Sequence, residues 1–561
     1  MAQMLRIVNY AVNGSGAGHL TRLLAINRWL RRYTSLMGVR AEIYFLTSSE
    51  ADTLLFHEQF ASFKLPSKTI VGETGIDKIT YIALAKQWVW HSLALLRPDL
   101  LIVDTFPRGS FGELLSALDL CRHKAFIHRP VKEELATRPD FQSMLPLYDL
   151  VVVPEYQEEA QALVSPGAKG PRVQVRYSGP VMVRERFELW SRAEVRKHFA
   201  AKEDELLVYV SAGGGGDPNA ADDLHRVCQV LLKEQGLRIV VGAGPLYRGR
   251  ALHDDRIVWQ TQSGIAEQMA GFDLAVCAAG YNSYHELLHA GVPTIFMPQA
   301  KIADEQSRRA ERAAGAGAAF CLTESRSGGA EVAWTEQLRD IVSKLRDPVV
   351  RNQAAQSALA LVPKNHARDA AAELLKLLLP VHEVESAQES LNEKVLGSLR
   401  ESGLQFEQLV ELMHGLSGDA AAPALSKQAA VERSEKSLEL LQFSKRHGIP
   451  TATLLRSVRL LVPKLGRGSS SEKVEALQSI FKALLPFADW SSAMTLMKLL
   501  LGERRLSAAV VGTAVEKFLL HLHARGETLH RAITYLSAAA GADQPPTGNV
   551  ELLDAATRLC A

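Results

Sequence analysis

The 561-residue sequence predicts two consecutive doubly wound α/β domains followed by an all-helical domain. Three observations carry this prediction. Short apolar runs alternate with amphipathic helical patterns up to about residue 380, several runs end in Gly or Pro turns just before a helix, and strand patterns disappear beyond about residue 381. Continuous apolar runs of this kind are typical of parallel strands that are buried on both faces.

The apolar runs form two series, one for each α/β domain. The strands predicted for the first domain are residues 5–12, 41–47, 99–106, 124–128 and 149–154. The strands predicted for the second are residues 206–213, 237–244, 273–280, 292–298 and 317–322. We place the three domains at residues 1–180, 181–380 and 386–561. The last domain has helical spacing throughout and no repeat of fixed period.

Composition narrows the class of protein. Sixty-four Lys and Arg against sixty-two Asp and Glu leave a net charge of +2, which gives no reason to expect nucleic acid as a partner. The five cysteines form no C-x-x-C pair, so we expect reduced thiols in a cytoplasmic protein. The first residues resemble a strand and a glycine turn rather than a signal peptide. The sequence has no run of 18 apolar residues, so we expect no membrane-spanning helix.

Residues 285–289 read His-Glu-Leu-Leu-His, the H-E-x-x-H spacing of zinc protease helices. A zinc site also needs a third ligand and a cleft. The helix here is short, since Gly291-Val292-Pro293 ends it, and no H-x-x-G-x-x-H extension follows. We therefore predict no metal site and interpret the two histidines as ordinary helix residues near a surface or a cleft.

The same helix predicts a different function for its glutamate. A strand ends at Gly280, and Asn282-Ser283 begin the next helix, where free N–H groups can bind phosphate without a metal. Glu286 follows one turn later. It could therefore accept hydrogen bonds from the two hydroxyls of a ribose that is attached to the bound phosphate.

Residues 258–313 resemble the donor-binding signature of GT-B glycosyltransferases, enzymes with two Rossmann-like domains. The segment is similar to the lipid-intermediate N-acetylglucosaminyltransferases of peptidoglycan synthesis and to the plant and animal nucleotide-sugar glycosyltransferases. Gly280-Tyr281-Asn282-Ser283 with Glu286 resembles the G-W-N-S-x-x-E of the plant signature, and residues 259–262 resemble its W-x-x-Q. The resemblance implies that Trp259 stacks on uracil and that Gln262 helps to hold the ribose.

Other positions extend the resemblance. Glu305-Gln306 stands where the family binds sugar hydroxyls, and Asp304 competes with Glu305 for that role. Ala278 replaces a histidine of the plant form, which removes one expected phosphate contact. The glycine loop after the first strand of the second domain, with Gly213, Gly214 and Gly215, would let the backbone approach a diphosphate.

The N-terminal glycine loop resembles the G-x-G-H loop of the same enzymes. It contains Gly16 and Gly18 beside the donor and places His19 at the start of a helix. Plant relatives pair this histidine with an aspartate, here Asp104. The resemblance implies that His19 is the general base for the acceptor and that Asp104 orients it. The alternative is that His19 caps the helix or contacts the donor phosphate, and Asp104 only bonds a loop.

The resemblance implies inverting, metal-independent transfer of a sugar from a nucleotide-diphosphate donor, expected to be a UDP-sugar, to an acceptor hydroxyl or amine. No cofactor besides this donor is expected, and the acceptor could be a glycan, a lipid, a small molecule or a protein. An epimerase or a hydrolase of the same fold is the enzyme alternative. A scaffold that binds a nucleotide sugar and acts through its helical tail is the non-enzyme alternative.

Two features suggest partners besides the substrates. Residues 386–561 carry no chemical motif, and their Leu and Val stripes are typical of an ordinary helical core. We expect this domain to bind a protein or to self-associate. Residues 27–38 and 86–98 place Trp beside basic and apolar residues, as a peripheral membrane contact would. Buried helix faces explain both segments about equally well. Arg22 and Arg129 could face the same cleft as His19.

Overall fold

The computed structural model describes residues 4–12, 16–129, 131–160, 173–261, 265–300, 304–322 and 329–391. The chain divides into two compact units. The first consists of Met1–Arg31 with Arg40–Leu379, and the second of Arg32–Val39 with Pro380–Ala561. Both sheets lie in the first unit. The predicted all-helical domain falls almost wholly outside the described residues and stays a prediction.

The first sheet has seven parallel strands in the order β3-β2-β1-β4-β5-β6-β7. Their bounds are β1 Met4–Ala11, β2 Arg40–Thr47, β3 Ala61–Lys64, β4 Leu100–Asp104, β5 His123–Ile127, β6 Leu150–Val153 and β7 Gln174–Tyr177. The order reverses between β1 and β4. In a doubly wound sheet, ligands bind outside the carboxyl ends of the strands at such a reversal.

The second sheet has six parallel strands in the order β10-β9-β8-β11-β12-β13. Their bounds are β8 Leu206–Ser211, β9 Leu237–Gly242, β10 Ile257–Gln260, β11 Leu274–Cys277, β12 Thr294–Phe296 and β13 Ala319–Cys321. This is the 3-2-1-4-5-6 order of the Rossmann fold, with its reversal between β8 and β11. The predicted pair of Rossmann-like domains is confirmed.

Helices connect the strands. Those of the first sheet are α1 Gly18–Met37, α2 Thr53–His57, α3 Lys68–Thr74, α4 Lys78–Leu96, α5 Glu133–Ala136, α6 Pro139–Gln142 and α7 Gln157–Ala160. Then follow α8 Arg192–His198, α9 Ala220–Leu231, α10 Tyr281–His289, α11 Gln306–Gly315, α12 Gly329–Lys344, α13 Pro348–Leu361, α14 Ala367–Leu375 and α15 Val381–Ser390. The 3-10 helices are Leu118–Leu120, Leu145–Leu147, Arg186–Glu188 and Ile265–Gly271. Among the described helices, none is long and apolar enough to cross a membrane.

All ten strands predicted from apolar runs are present, and three further strands were missed. The missed strands β3, β7 and β10 lie at sheet edges. All residues of β3 are exposed, and those of β7 and β10 are exposed or half-buried. An edge strand of this kind has no continuous apolar run, so the pattern that found the central strands is missing.

The helices that follow the second sheet return to the first. The His366 N–H donates to the Pro180 carbonyl at 2.8 Å, and Glu373 of α14 pairs with Arg176 of β7 at 3.2 Å. Gly179 has a φ of +88°, and a Cβ there would lie 2.5 Å from the His366 ring. The close approach therefore requires glycine.

The two Trp-containing segments differ in burial. In residues 27–38, Trp29 is buried, and its indole Nε1–H donates to Glu185 at 2.8 Å. In residues 86–98, Trp90 of α4 is 39% exposed, while Val89 and Leu93 are buried. Trp29 therefore belongs to a buried helix face, and only the second segment presents a tryptophan on the surface.

Candidate active site

The loops at the carboxyl ends of β1 and β4 place His19 beside Asp104. Asp104 is the last residue of β4, and His19 is the second residue of α1. The His19 Nδ1 lies 2.7 Å from the Asp104 Oδ2, and the imidazole stacks on the Phe106 ring with 5.5 Å between centroids. The predicted pairing of these two residues is therefore present in the structure.

Arg22, one helical turn after His19, also binds Asp104. Its Nε donates to Oδ1 and its Nη2 to Oδ2, both at 2.8 Å. Thr105, which has a φ of +61°, donates its hydroxyl to Oδ2 at 2.8 Å. Burial opposes the charge on Asp104, but Arg22 and His19 hold the pKa of that carboxyl well below its usual range. Asp104 is therefore a fully buried carboxylate.

The protonation state of His19 follows from these partners. Burial lowers the pKa of His19 below its ordinary value of 6.5 against the opposing effect of Asp104, and the charges of Arg22 and Arg129 lower it further. The imidazole is thus neutral at pH 7. Because the ionised Asp104 can only accept, we assign the proton to Nδ1. This leaves the Nε2 lone pair of His19 available to accept a proton.

The N-terminal glycine loop contacts the second Rossmann-like domain. The Asn282 Nδ2 lies 3.5 Å from the Gly18 carbonyl oxygen to which it donates. A Cβ on Gly214 would lie 3.1 Å from the Ala17 nitrogen and 3.6 Å from the Gly16 Cα. The structure therefore brings His19 and its loop next to the residues predicted to bind the donor.

The glycine loop after β8 needs its glycines for two reasons. Gly213 and Gly215 have φ values of +88° and +82°, which side chains rarely adopt. A Cβ on Gly215 would also lie 2.3 Å from the Ala243 carbonyl oxygen. The Leu246 N–H donates to the Gly214 carbonyl at 3.1 Å and fixes the loop against the turn after β9. The loop is thus a rigid, side-chain-free surface.

Helix α10 begins beside this loop. Gly280 is its N-cap and supplies no side chain to satisfy the first N–H groups. Asn282 and Ser283 are half-buried in the first turn, and Ser283 hydrogen-bonds the buried Cys277 thiol. This end of α10 has the polarity and the open donors that an anion needs.

Glu286 is half-buried one turn into α10. Burial raises the pKa of its carboxyl from an ordinary 4.5 to about 7, with a smaller opposing effect from Arg184. Among the described residues, no hydrogen-bond donor contacts this carboxylate. A partly buried carboxyl group that lacks such a donor is suited to accept hydrogen bonds from a ligand.

The three consecutive residues predicted near the sugar have different surroundings in the structure. Asp304 is paired with Arg129 at 2.9 Å and with Arg309 at 2.7 Å. Glu305 is exposed at the start of α11. Gln306 is buried, accepts the Gln299 N–H at 3.0 Å, and has its Nε2 3.9 Å from where a Gly280 Cβ would lie. Asp304 is therefore occupied by arginines, which leaves Glu305 as the accessible carboxylate.

Trp259 lies in the edge strand β10. Its ring packs against Tyr247 and His225, with centroid separations of 5.4 and 6.0 Å, and is only partly buried. It thus forms part of an aromatic cluster beside the turn after β9. Gln262 lies outside the described residues, so its predicted ribose contact stays a prediction.

Both histidines of the H-E-x-x-H motif have protein partners. His285 Nδ1 lies 2.8 Å from the Tyr281 carbonyl oxygen, and His289 Nδ1 lies 3.2 Å from that of Val362. Burial lowers the pKa of His289 to about 3. Across the part of the chain that the structure describes, no cluster of three or more His, Cys, Asp or Glu could hold a metal. Packing accounts for both histidines.

The sequence analysis placed Arg22 only as a residue that could face the cleft of His19, and it gave Tyr281 no role of its own. Arg22 follows His19 by three residues, so both lie on one face of α1, and this spacing could have indicated a shared partner. The Tyr281 hydroxyl donates to the Pro154 carbonyl at 2.6 Å and accepts the Val181 N–H at 3.0 Å. No local pattern marks these contacts, because they join segments far apart in the sequence.

Comparisons with known proteins find similarity to glycosyltransferases. Residues 254–375 match the glycosyltransferase family 28 C-terminal domain. UDP-N-acetylglucosamine--N-acetylmuramyl-(pentapeptide) pyrophosphoryl-undecaprenol N-acetylglucosamine transferase of Xylella fastidiosa (strain M12) is 37% identical over 114 residues, 20% of this chain and 30% of the relative. The protein of the same name from Pseudomonas fluorescens (strain SBW25) is 45% identical over 62 residues, 11% of this chain and 17% of the relative.

The sequence matches therefore span less than a third of either relative. Among solved structures, Acinetobacter baumannii MurG aligns with 66% of this chain and 99% of its own at 16% identity and a TM-score of 0.41. The Phytolacca americana UGT2 structure aligns with 66% and 99% at 16% identity and a TM-score of 0.45. The family match places a glycosyltransferase family 28 C-terminal domain at residues 254–375, and the predicted resemblance of this chain to GT-B glycosyltransferases is confirmed.

Proposed function

We propose that this protein transfers a sugar from a nucleotide-diphosphate donor, a UDP-sugar, to a hydroxyl or amine of an acceptor, with inversion and without a divalent metal. One observation carries the proposal. The N-terminal glycine loop that leads to His19, the partner of Asp104, contacts both the glycine loop of the second domain and the first turn of α10, through Gly214 and Asn282. A candidate base and a candidate diphosphate site thus share one junction.

On the donor side, each group has a proposed partner. The N–H groups of the Gly213–Gly215 loop and of the first turn of α10 bind the diphosphate. The first turn of α10 has no side-chain cap, whereas the Gly213 N–H already donates to the Ser211 hydroxyl at 3.1 Å, so Gly214 and Gly215 supply the loop donors. Glu286 accepts hydrogen bonds from the ribose hydroxyls. Trp259 contacts the base, and Glu305 and Gln306 bind the sugar hydroxyls. The exposed position of Glu305, against the paired state of Asp304, favours Glu305 in this role.

On the acceptor side, His19 is the proposed base. Its Nε2 takes the proton from the acceptor hydroxyl while the acceptor oxygen forms a bond to the anomeric carbon. The bond from that carbon to the diphosphate oxygen breaks, and its electron pair stays on the leaving diphosphate. Attack from the opposite face inverts the anomeric carbon. Asp104 stabilises the imidazolium that forms, because its buried carboxylate lies 2.7 Å from Nδ1.

Fixed dipoles support departure of the diphosphate without a metal. The glycine loop is locked by its backbone contacts, so its N–H groups need no rearrangement as charge develops. The positive end of α10 adds to them. Such preoriented donors can stabilise a leaving group in place of a cation.

The relatives suggest which donor to test first. The names of both bacterial relatives specify UDP-N-acetylglucosamine and an undecaprenol-linked acceptor. Since residues 254–375 carry the family match, UDP and UDP-N-acetylglucosamine are the first ligands for this chain. The family match lies in the donor-side half, so it gives no comparable guide to the acceptor.

A thermal-shift screen of nucleoside diphosphates and their sugars tests the donor assignment. We expect stabilisation by UDP or a UDP-sugar in the native protein and a much weaker effect in Glu286→Ala. Transfer is then assayed with an acceptor panel. Turnover of the nucleotide sugar without any acceptor would favour an epimerase or a hydrolase. Binding without turnover across the panel would favour a nucleotide-sugar-binding scaffold.

A further inference from the structure

Arg22 joins the two halves of the candidate site. It lies on α1 of the first domain, is only 1% exposed, and holds Asp104 with two hydrogen bonds of 2.8 Å. The other side of its guanidinium faces the second domain. There its central carbon lies 5.1 Å from the centroid of the Tyr281 ring, which is within the range of a cation–π contact.

The Tyr281 ring is itself fixed in place. It is the first residue of α10, the helix whose N-terminus forms the candidate phosphate site. Its hydroxyl is bonded to Pro154 and Val181, which flank the junction of the two domains. A continuous chain of contacts therefore runs from the junction through Tyr281, Arg22 and Asp104 to His19.

We propose that Arg22 is a positioning residue through which Tyr281, on the donor-side helix, fixes Asp104 and thereby the orientation and protonation of His19. The role of His19 as a base rests on the proposed function, but the link between the four side chains does not. Arg22 neutralises the carboxylate that would otherwise favour imidazolium, and the Tyr281 ring keeps water from the guanidinium.

Other charged groups act on the same network. Arg129 faces His19 from the loop after β5 and lowers its pKa alongside Arg22. The groups that surround Arg22 are Asp104, Tyr281, Asp304, Glu155 and His285. Of the positive charges near His19, only Arg22 also binds Asp104 through a two-point fork within the described residues. Removal of Arg22 should therefore change the pKa of His19 in two ways, through the altered charge balance at Asp104 and through the loss of the direct repulsion between Arg22 and His19.

The direction of the change follows from the charges. Without Arg22, the negative charge of Asp104 is no longer balanced, so it stabilises the imidazolium and the pKa of His19 rises. Without the Tyr281 ring, water reaches Arg22 and Asp104, and the effect of burial on His19 weakens. Both changes raise the pKa of His19. Loss of only the Tyr281 hydroxyl leaves the ring over the guanidinium and should not have this effect.

The test is NMR titration of ¹³C-labelled histidine in the full chain without substrate, with the His19 signal assigned from His19→Gln. We expect Arg22→Gln to raise the pKa of His19 by about one unit or more. Tyr281→Leu should raise it by a smaller amount, Tyr281→Phe should leave it unchanged, and Arg22→Lys should restore most of the native value.

An unchanged His19 titration in both Arg22→Gln and Tyr281→Leu would overturn the proposal, and so would equal shifts in Tyr281→Leu and Tyr281→Phe. If Arg22→Gln does not fold, the two Tyr281 variants still decide the question. The titration needs no turnover. If the pKa of His19 shifts in these variants but the protein transfers no sugar, the proposed function is wrong and this inference still holds.

Discussion

The acceptor side and the donor side hold their key carboxyl groups in opposite ways. Asp104 is fully buried and accepts hydrogen bonds from His19, Arg22 and Thr105. Glu286 is half-buried, and within the described residues no side chain or backbone group bonds its carboxylate. The pKa of Asp104 is lowered, whereas burial raises that of Glu286 to about 7.

The difference teaches what each side is built to do. The hydrogen bonds of the Asp104 carboxylate are already formed within the protein, so this group can only orient and stabilise a neighbour. The Glu286 carboxylate has no such hydrogen bonds, and its desolvation is compensated only when a ligand donates hydrogen bonds to it. We interpret the first as preorganised acid–base machinery and the second as a binding group. Five predictions test this comparison.

The largest effect should come from His19→Ala. A general base typically contributes about 10²- to 10⁴-fold, so turnover should fall by that order once a substrate pair is known. Burial lowers the pKa of His19 below its ordinary value of 6.5. The acidic limb of the native pH–rate profile should therefore lie below pH 6.5, and it should disappear in the variant. Steady-state kinetics across pH measures both. A variant with native turnover would mean that the base is elsewhere.

Asp104→Asn should reduce turnover less than His19→Ala, because the base remains with a poorer partner. It should reduce stability strongly, since Arg22 is left buried without a carboxylate, which typically costs about 3 kcal/mol or more. Urea unfolding gives the change in the free energy of unfolding. Glu305→Gln is the matched control, because Glu305 is exposed, and it should have little effect on stability. Equal stability of the two variants would contradict the buried network.

Glu286→Ala should weaken donor binding by about 2 kcal/mol, since a charged acceptor of hydrogen bonds is lost. The isosteric Glu286→Gln separates binding from stability. The pKa of Glu286 is raised on folding, so its favourable contribution is present below pH 4.5 and lost as pH rises through about 7. Glu286→Gln should therefore raise the melting temperature above the native value at pH 8 and leave it similar at pH 4.5.

Donor binding should also depend on pH through Glu286. Ribose hydroxyls donate to the carboxylate, so the ionised form binds and affinity should fall as pH drops through about 7. Binding at pH 7 should release up to about half a proton, because the free carboxyl is half protonated there. Titrations in buffers of different ionisation enthalpy measure this release. A pH-independent affinity would place the ribose away from Glu286.

The smallest effect should come from EDTA. The fixed N–H groups of the glycine loop and of α10 are expected to stabilise the leaving diphosphate by themselves. Turnover should therefore stay within about twofold of its untreated value. A complete loss of activity that magnesium or manganese restores would contradict this account.

Particular elements show how much the sequence could predict. The central strands, such as β4, were predictable because they are buried on both faces. The His19–Asp104 pair was predictable because the resemblance pointed to both residues. The edge strand β10 was missed although Trp259 lies in it, since half-buried residues form no continuous apolar run.

Contacts between distant segments that the resemblance does not cover could not be predicted. The pairing of Asp304 with Arg129 joins residues from different domains, and only the folded chain shows that Asp304 is occupied while Glu305 is exposed. The same holds for Arg22 and Tyr281, whose contact crosses the junction between the domains. Local patterns identify which residues can do chemistry, whereas the packing of the two domains decides which of them meet.

The most direct test of the central claim is calorimetric titration of UDP into the native protein, His19→Ala and Glu286→Ala under identical conditions. The account predicts one site in the native protein, nearly native affinity in His19→Ala, and affinity lower by roughly thirtyfold, about 2 kcal/mol, in Glu286→Ala. Loss of UDP binding in His19→Ala with native binding in Glu286→Ala would contradict it. In that case His19 is a phosphate contact, and the division into an acid–base side and a donor side is wrong.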